Sequence, residues 1–357
     1  MSEQFLFIGT YTHDEGGEGI YTYKFNTETG ELTYQCVMKG IKEPSFLCLD
    51  PSGEHLYAAS EIDDYEGETA GAVYAYKINR DSGELTLLNE RSTVGTITCH
   101  LSVDSEDKCL VVANYGSGSV IVYPLNMDGS LGEASDFIQF EGSSINTARQ
   151  EGPHAHSAII SADDKYVFVP DLGCDKIMQY KLDSDNAKLI PNNPPFIKMP
   201  PGSGPRHFII DKSMKYAYVI NELAGTIVTF DYHAGSGTLR AKDSVNTLPE
   251  GFDGIIGCAD LHLTASEKFL YGTNRGHNSL VICKVNDDGT LESLGHEPSG
   301  GDEPRNFTIS GDDQFLLMAN QKEDNILTFK IDHQTGQLEK VQQLNDIGKP
   351  VCLIWLH

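Results

Sequence analysis

The chain has 357 residues, 39% of them hydrophobic and 22% charged, with 52 acidic against 26 basic side chains and a net charge of −26. That balance disfavours a nucleic acid or an anionic membrane surface as partner, because both are held by basic surface. The composition suits a soluble protein with a large core, and no apolar run approaches the roughly 18 residues of a membrane span.

The N-terminal "MSEQFLFIGTYT" lacks a basic start followed by a long apolar stretch, so it does not read as a signal peptide. Eight cysteines at 36, 48, 99, 109, 174, 258, 283 and 352 show no CxxC and no paired spacing. They read as reduced, mostly buried small hydrophobes of a cytoplasmic protein.

Taken in order, the predicted elements repeat. The first unit, "FLFIGTY" through "GIYTYKFNTETGELTYQ", holds three strands. Six fuller units follow, opening at "EPSFLCLDPSGEHLYAASE" (43–61), "TCHLSVDSEDKCLVVANY" (98–115), "AHSAIISADDKYVFVPDL" (155–172), "PRHFIIDKSMKYAYVINE" (205–222), "CADLHLTASEKFLYGTNR" (258–275) and "PRNFTISGDDQFLLMANQ" (304–321). Each is an apolar strand, a polar turn and a second apolar strand. An alternating run then leads through a turn such as "NRDSGELT" or "VNDDGTLE" to a fourth strand. No segment carries sustained helical periodicity.

The residues opening each unit, at 45, 99, 156, 206, 259, 305 and 351, are spaced by 54, 57, 50, 53, 46 and 46. Four short antiparallel strands at this period describe the blade of a β-propeller. The reading is an all-β, seven-bladed propeller forming a single domain over residues 1–357. "GKPVCLIWLH" (348–357) supplies the first strand that the N-terminal unit lacks, so it should pair there, close the ring and remove two exposed sheet edges.

In a propeller the start of each first strand and the end of each second strand meet at one mouth of the central channel. The start positions are Ser45, Cys99, His156, Arg206, Ala259, Arg305 and Val351, and the end positions Tyr11, Glu61, Tyr115, Leu172, Glu222, Arg275 and Gln321. One residue earlier stand Thr10, Ser60, Asn114, Asp171, Asn221, Asn274 and Asn320, a uniform set read as structural caps. Charge gathers instead at His156, Arg206, Glu222, Arg275 and Arg305, in adjacent units. Ion pairs tying neighbouring blades together would account for some of it. The chemistry also suits a multiply oxygenated anion: arginine grips carboxylate or phosphate in bidentate fashion and can stabilise an oxyanion. His156 or Glu222 would be the general base for a water. In "EGPHAHSAII", His154 and His156 stand two apart, which would put them on one face of a strand. A metal would want a third His or carboxylate, and the opposing positions offer arginine, so no metal or cofactor is expected. No G-x-S-x-G, phosphate-binding loop or HExxH occurs.

"RQEGPHAHS", "PGSGPRHF", "YVINELAGTI", "CADLHLTASEKFLYGTNRGH" and "EPRNF" resemble the signature segments of the seven-bladed propeller lactonases, which include the bacterial propeller type of 6-phosphogluconolactonase and, more distantly, the fungal carboxy-muconate lactonizing enzyme. The resemblance spans nearly the whole chain. It implies metal-independent hydrolysis of 6-phospho-D-glucono-1,5-lactone to 6-phosphogluconate in the pentose phosphate pathway. It carries the catalytic roles to His156, Arg206 and Glu222, and substrate contacts to Arg275 and Arg305. His154, Tyr115 and Glu61 complete the expected substrate-binding set. The expectation is that Arg275 and Arg305 hold the phosphate, Arg206 polarises the carbonyl, and His156 or Glu222 activates water. The expected partner is a phosphorylated sugar lactone, met by the chain as a monomer or homodimer.

Three other readings compete. A lactonase or cycloisomerase for an unphosphorylated sugar-acid or muconate-type lactone would separate by substrate preference. A non-catalytic interaction platform would show no turnover. A calcium-dependent lactonase would need Asp, Asn and Glu where three arginines stand.

Overall fold

A computed structural model describes residues 3–356. They form seven four-stranded antiparallel sheets and no helix. Blade 1 orders its strands Pro350–Trp355, Glu3–Thr10, Gly19–Asn26, Leu32–Lys39, so the last strand of the chain is the innermost strand of the first sheet. The other six blades run in simple sequence order from residues 44, 98, 159, 205, 258 and 304. The expected closure is present: Leu6 pairs with Trp355, Phe7 with Ile354 and Ile8 with Leu353. Trp355 also donates its indole N–H to Ile309 O of blade 7 at 3.0 Å, and its ring packs on Phe25.

Burial follows position in the blade. Second strands such as Cys109–Asn114, Phe269–Asn274 and Phe315–Asn320 are buried along their whole length, and their sequences ("CLVVAN", "FLYGTN", "FLLMAN") lack the polar alternation of a half-exposed strand. Outer strands such as Leu338–Asn345 alternate and face water. The core is therefore a set of wedges between blades. Val111, Ala113 and Val120 of blade 3 pack on Val167 and Val169 of blade 4, and Tyr271 and Ile282 of blade 6 on Phe307 and Met318 of blade 7. Truncating a buried Phe in such a wedge costs about 3–5 kcal/mol.

Polar hooks add to this packing. Tyr57, Tyr218 and Tyr271 each donate a hydroxyl hydrogen bond, at 2.8 to 2.9 Å, to the turn glycine carbonyl of the following blade: Gly129, Gly289 and Gly336. Gly289 has φ of 80°, and a Cβ there would lie 2.4 Å from the Tyr216 ring, so no other residue fits between the blades.

Two features depart from plain repetition. The inner strand of blade 4 shrinks to Ile159–Ile160, so His156 lies ahead of it, tied by its backbone N–H to Pro170 O at 2.9 Å. In six blades the inner strand opens with a bulge: the register jumps between Pro350 and Cys352, Pro44 and Phe46, Thr98 and His100, Pro205 and His207, Cys258 and Leu261, and Pro304 and Asn306. The extra residues are Val351, Ser45, Cys99, Arg206, Ala259 with Asp260, and Arg305. A bulge frees a residue from the ladder and re-aims its side chain, so consecutive residues such as Arg206 and His207 both reach the channel.

Candidate active site

The uniform positions behave as caps. Asn114, Asn274 and Asn320 donate from Nδ2 to the carbonyls of Thr93, Thr247 and Ser299, while Ser60 Oγ donates to Lys42 O. They fix the loops of the mouth on which the charged side chains stand.

At the centre is Glu222, 3% exposed. Its Oε2 lies 3.1 Å from Arg206 Nε and 2.9 Å from Arg275 Nη2, and its Oε1 lies 2.5 Å from Arg149 Nη2. Burial pushes the Glu222 pKa up, but Arg275, Arg206 and Arg149 outweigh it and hold the carboxyl at about 2. So held, Glu222 stands as an ionised carboxylate engaged by three guanidinium groups. His156 Nε2 stands 4.0 Å from Glu222 Oε2. Burial, with Arg206, His207 and Arg305 close by, keeps the His156 imidazole well below its ordinary pKa and therefore neutral at pH 7.

Arg206, 2% exposed, is held through Nε and Nη1. It donates from Nη1 to Ala259 O at 2.6 Å and to His207 Nε2 at 3.1 Å. His207 Nδ1 lies 2.7 Å from Asp260 Oδ1, which places the proton on Nδ1 and leaves Nε2 as the acceptor for Arg206. Burial and the Arg275 and Arg305 charges lower the Arg206 pKa to about 10, against the pull of Glu222 and Asp260. Across the mouth, Arg305 Nη2 lies 3.5 Å from Glu61 Oε2, its guanidinium stacks 5.1 Å over the Tyr11 ring, and Tyr11 donates its hydroxyl to Glu61 at 2.8 Å.

Two cavities meet at this cluster. A narrow well of about 10 Å³ on the channel axis is lined by Ser45, Cys99, His156, Arg206, Arg305 and Val351, with Glu61 at its side. A wider cleft of about 490 Å³ is lined by Arg149, Glu222, Arg275, Glu303 and Lys322 beneath Ile255 and Ile256. Glu222 joins them, gripping Arg206 of the well and Arg275 of the cleft. Arg275 is anchored by donating from Nε to Gly257 O and from Nη2 to Cys258 O. The expectation that Arg275 and Arg305 act together on one group does not hold, since they line different cavities.

His154 and Tyr115 line neither cavity. Their rings stack at 4.5 Å, His154 Nδ1 lies 2.9 Å from Tyr115 O, and the edge of His156 meets the same tyrosine ring at 5.2 Å. The two histidines thus flank Tyr115 rather than one pocket. Arg149, Lys322 and Glu303 escaped the column reading because they lie outside it. Arg149 carried a signal nonetheless, as the first residue of "RQEGPHAHS". Four of the chain's seven arginines, at 149, 206, 275 and 305, converge here, giving a cationic pit in a strongly anionic protein. Among the described residues no group of three His, Cys, Asp or Glu side chains is arranged to hold a metal ion.

Comparison with known proteins agrees with the architecture. The chain is 37% identical over 342 residues to a 6-phosphogluconolactonase of Formosa agariphila, covering 95% of each. It is 33% identical to a 6-phosphogluconolactonase of Bacillus subtilis, covering 100% of this chain and 99% of that one. A solved periplasmic gluconolactonase of Pseudomonas aeruginosa superposes with a TM-score of 0.92 at 34% identity, covering 99% of both chains. Residues 5–355 match the family described as lactonase, 7-bladed beta-propeller. With seven closed blades and relatives of this identity over its full length, the chain belongs to the seven-bladed β-propeller lactonase family.

Proposed function

We propose that the protein hydrolyses 6-phospho-D-glucono-1,5-lactone to 6-phosphogluconate, the lactone-opening step of the oxidative pentose phosphate pathway. The observation that carries this reading is the pairing of a cleft holding Arg149, Arg275 and Lys322 with a narrow well holding His156, Arg206 and Arg305. The cleft matches a phosphate and the polyol chain, and the well matches the lactone carbonyl. The names of the Formosa and Bacillus relatives support the substrate.

In the reaction, neutral His156 takes a proton from water as the oxygen attacks C1 of the lactone. The carbonyl electrons move onto its oxygen, which Arg206 stabilises. Collapse of the tetrahedral intermediate breaks the C1–ring oxygen bond, and the His156 imidazolium returns the proton to the departing alkoxide. Glu222, 4.0 Å from His156, steadies the transient imidazolium and fixes three guanidinium groups. The lactone is already reactive in water, so acid–base and oxyanion assistance of modest size suffices. Eight cysteines, all free, support a reducing compartment such as the cytoplasm.

Freshly generated 6-phosphogluconolactone, followed by pH-stat or a coupled dehydrogenase, tests the reading. Turnover should exceed the spontaneous rate, and His156→Ala and Arg206→Ala should each lower it at least about 10-fold while the fold survives. Unchanged rates in both variants would discard it. The Pseudomonas gluconolactonase favours one alternative, an unphosphorylated gluconolactone, and a greater kcat/KM on that substrate would decide for it.

A further inference from the structure

Ser45 is 5% exposed, and its hydroxyl has no hydrogen-bond partner within the protein. A buried hydroxyl without a partner destabilises a fold, so its persistence needs a reason. The reason is its position. Ser45 is the bulge residue of the blade 2 inner strand, level with Arg206 and Arg305 in the ring that encloses the axial well. The well has room for a single oxygen atom with its hydrogens.

The charges around the well define what that oxygen should be. Arg206 and Arg305 are cationic, Glu61 is anionic but already accepts from Tyr11 and faces Arg305, and His156 is neutral. Glu222 is shared among Arg206, Arg275 and Arg149, so guanidinium groups outnumber the carboxylates that serve them, with a hydroxyl donor opposite. Arg206 commits Nε to Glu222 and Nη1 to Ala259 O and His207, leaving Nη2 for a ligand. A water could sit there, but a cationic pocket one atom wide is better matched to an oxygen that gains negative charge during reaction.

We infer that Ser45 is a third oxyanion donor: its hydroxyl, with Arg206 and Arg305, binds the lactone carbonyl oxygen as it becomes the alkoxide of the tetrahedral intermediate. The inference rests on the lactonase reading above and names a substrate-touching group that reading does not contain. It also gives Arg305 a place in the chemistry in the well, away from the phosphate.

Ser45→Ala tests it with three readouts on purified protein. The expected result is a kcat lower by about 100-fold, the scale for losing one oxyanion donor, with KM within threefold of wild type. Inhibition by the product 6-phosphogluconate should be unchanged, since the ground-state carboxylate does not need the hydroxyl. The melting temperature should stay level or rise, because the unpaired hydroxyl is gone. A kcat within threefold of wild type overturns the inference, and so does a loss of kcat accompanied by a lowered melting temperature, which would mark a structural role. Wild-type protein without turnover on any lactone sinks the lactonase reading itself, an outcome distinct from wild-type turnover that Ser45→Ala leaves intact.

Discussion

Arg206 Nε and Glu222 Oε2 are 3.1 Å apart with both side chains about 3% exposed, and the same oxygen also serves Arg275 at 2.9 Å. One carboxylate thus compensates several buried cations. Glu222→Ala should destabilise the fold by about 3–5 kcal/mol, the scale for orphaning a buried charge, and abolish turnover with it. Urea unfolding monitored by tryptophan fluorescence would check the first part, because the single Trp355 sits in the closing strand.

Acid stability follows from the same group. The folded Glu222 pKa of about 2 lies below its ordinary 4.5, so the native state binds fewer protons there than the unfolded chain. Its contribution is complete above about pH 4.5 and is lost as pH falls towards 2. Glu222→Gln should flatten that part of the stability–pH curve, and an unchanged acid limb would contradict the ion-pair account.

Activity should depend on pH through His156. Burial and the neighbouring arginines hold His156 well below its usual range, so the neutral imidazole proposed as the base is present throughout pH 6–8 and is lost only at lower pH. Arg206 keeps its guanidinium charge across this range, since arginine does not deprotonate in a folded protein. A kcat/KM profile flat from pH 6.5 to 9 is expected, and a limb centred near pH 6.5 would contradict the burial of His156.

Lys322 stands in the cleft, 2.5 Å from Glu303, and is more exposed than Arg275. Removing its charge should affect phosphate recognition without disturbing Glu222. Lys322→Ala is expected to raise KM for the phosphorylated lactone about 10-fold, corresponding to about 1.4 kcal/mol, while leaving gluconolactone kinetics unchanged. Parallel Michaelis–Menten measurements on both lactones check this, and equal effects on the two would refute phosphate selectivity.

The closing strand carries its own prediction. Deleting residues 350–357 exposes the ladder edge of Glu3–Thr10, which Leu353 and Trp355 now cover. An unpaired apolar edge templates association, so the shortened chain should elute as aggregates in size-exclusion chromatography. A monodisperse, folded product would show that the ring closes without this pairing.

The fold was legible because a blade is a local event: four strands and three turns within about fifty residues leave their alternation in the sequence, seven times over. His156, Arg206, Glu222 and Arg275 were legible for the same reason, since repetition aligns one mouth of the channel. Arg149 was not, because it sits in the irregular stretch between blades 3 and 4, where no periodicity assigns a direction. His207 and Asp260 were missed as partners of Arg206 because a bulge lets adjacent residues share a face, which strict alternation forbids. The mismatch between Arg275 and Arg305 arose because a column records height along the axis but not which cavity a long side chain enters.

The bulges bear on how such proteins diversify. In five blades the side chain that reaches the well, from Val351, Ser45, Cys99, Arg206 or Arg305, belongs to a residue outside the ladder pairing, so exchanging it leaves the backbone hydrogen bonds of its sheet in place. Substrate preference can then drift one blade at a time by point substitution, with little penalty to folding. Related toroids opening different lactones on one unchanged scaffold are the expected descendants of that arrangement.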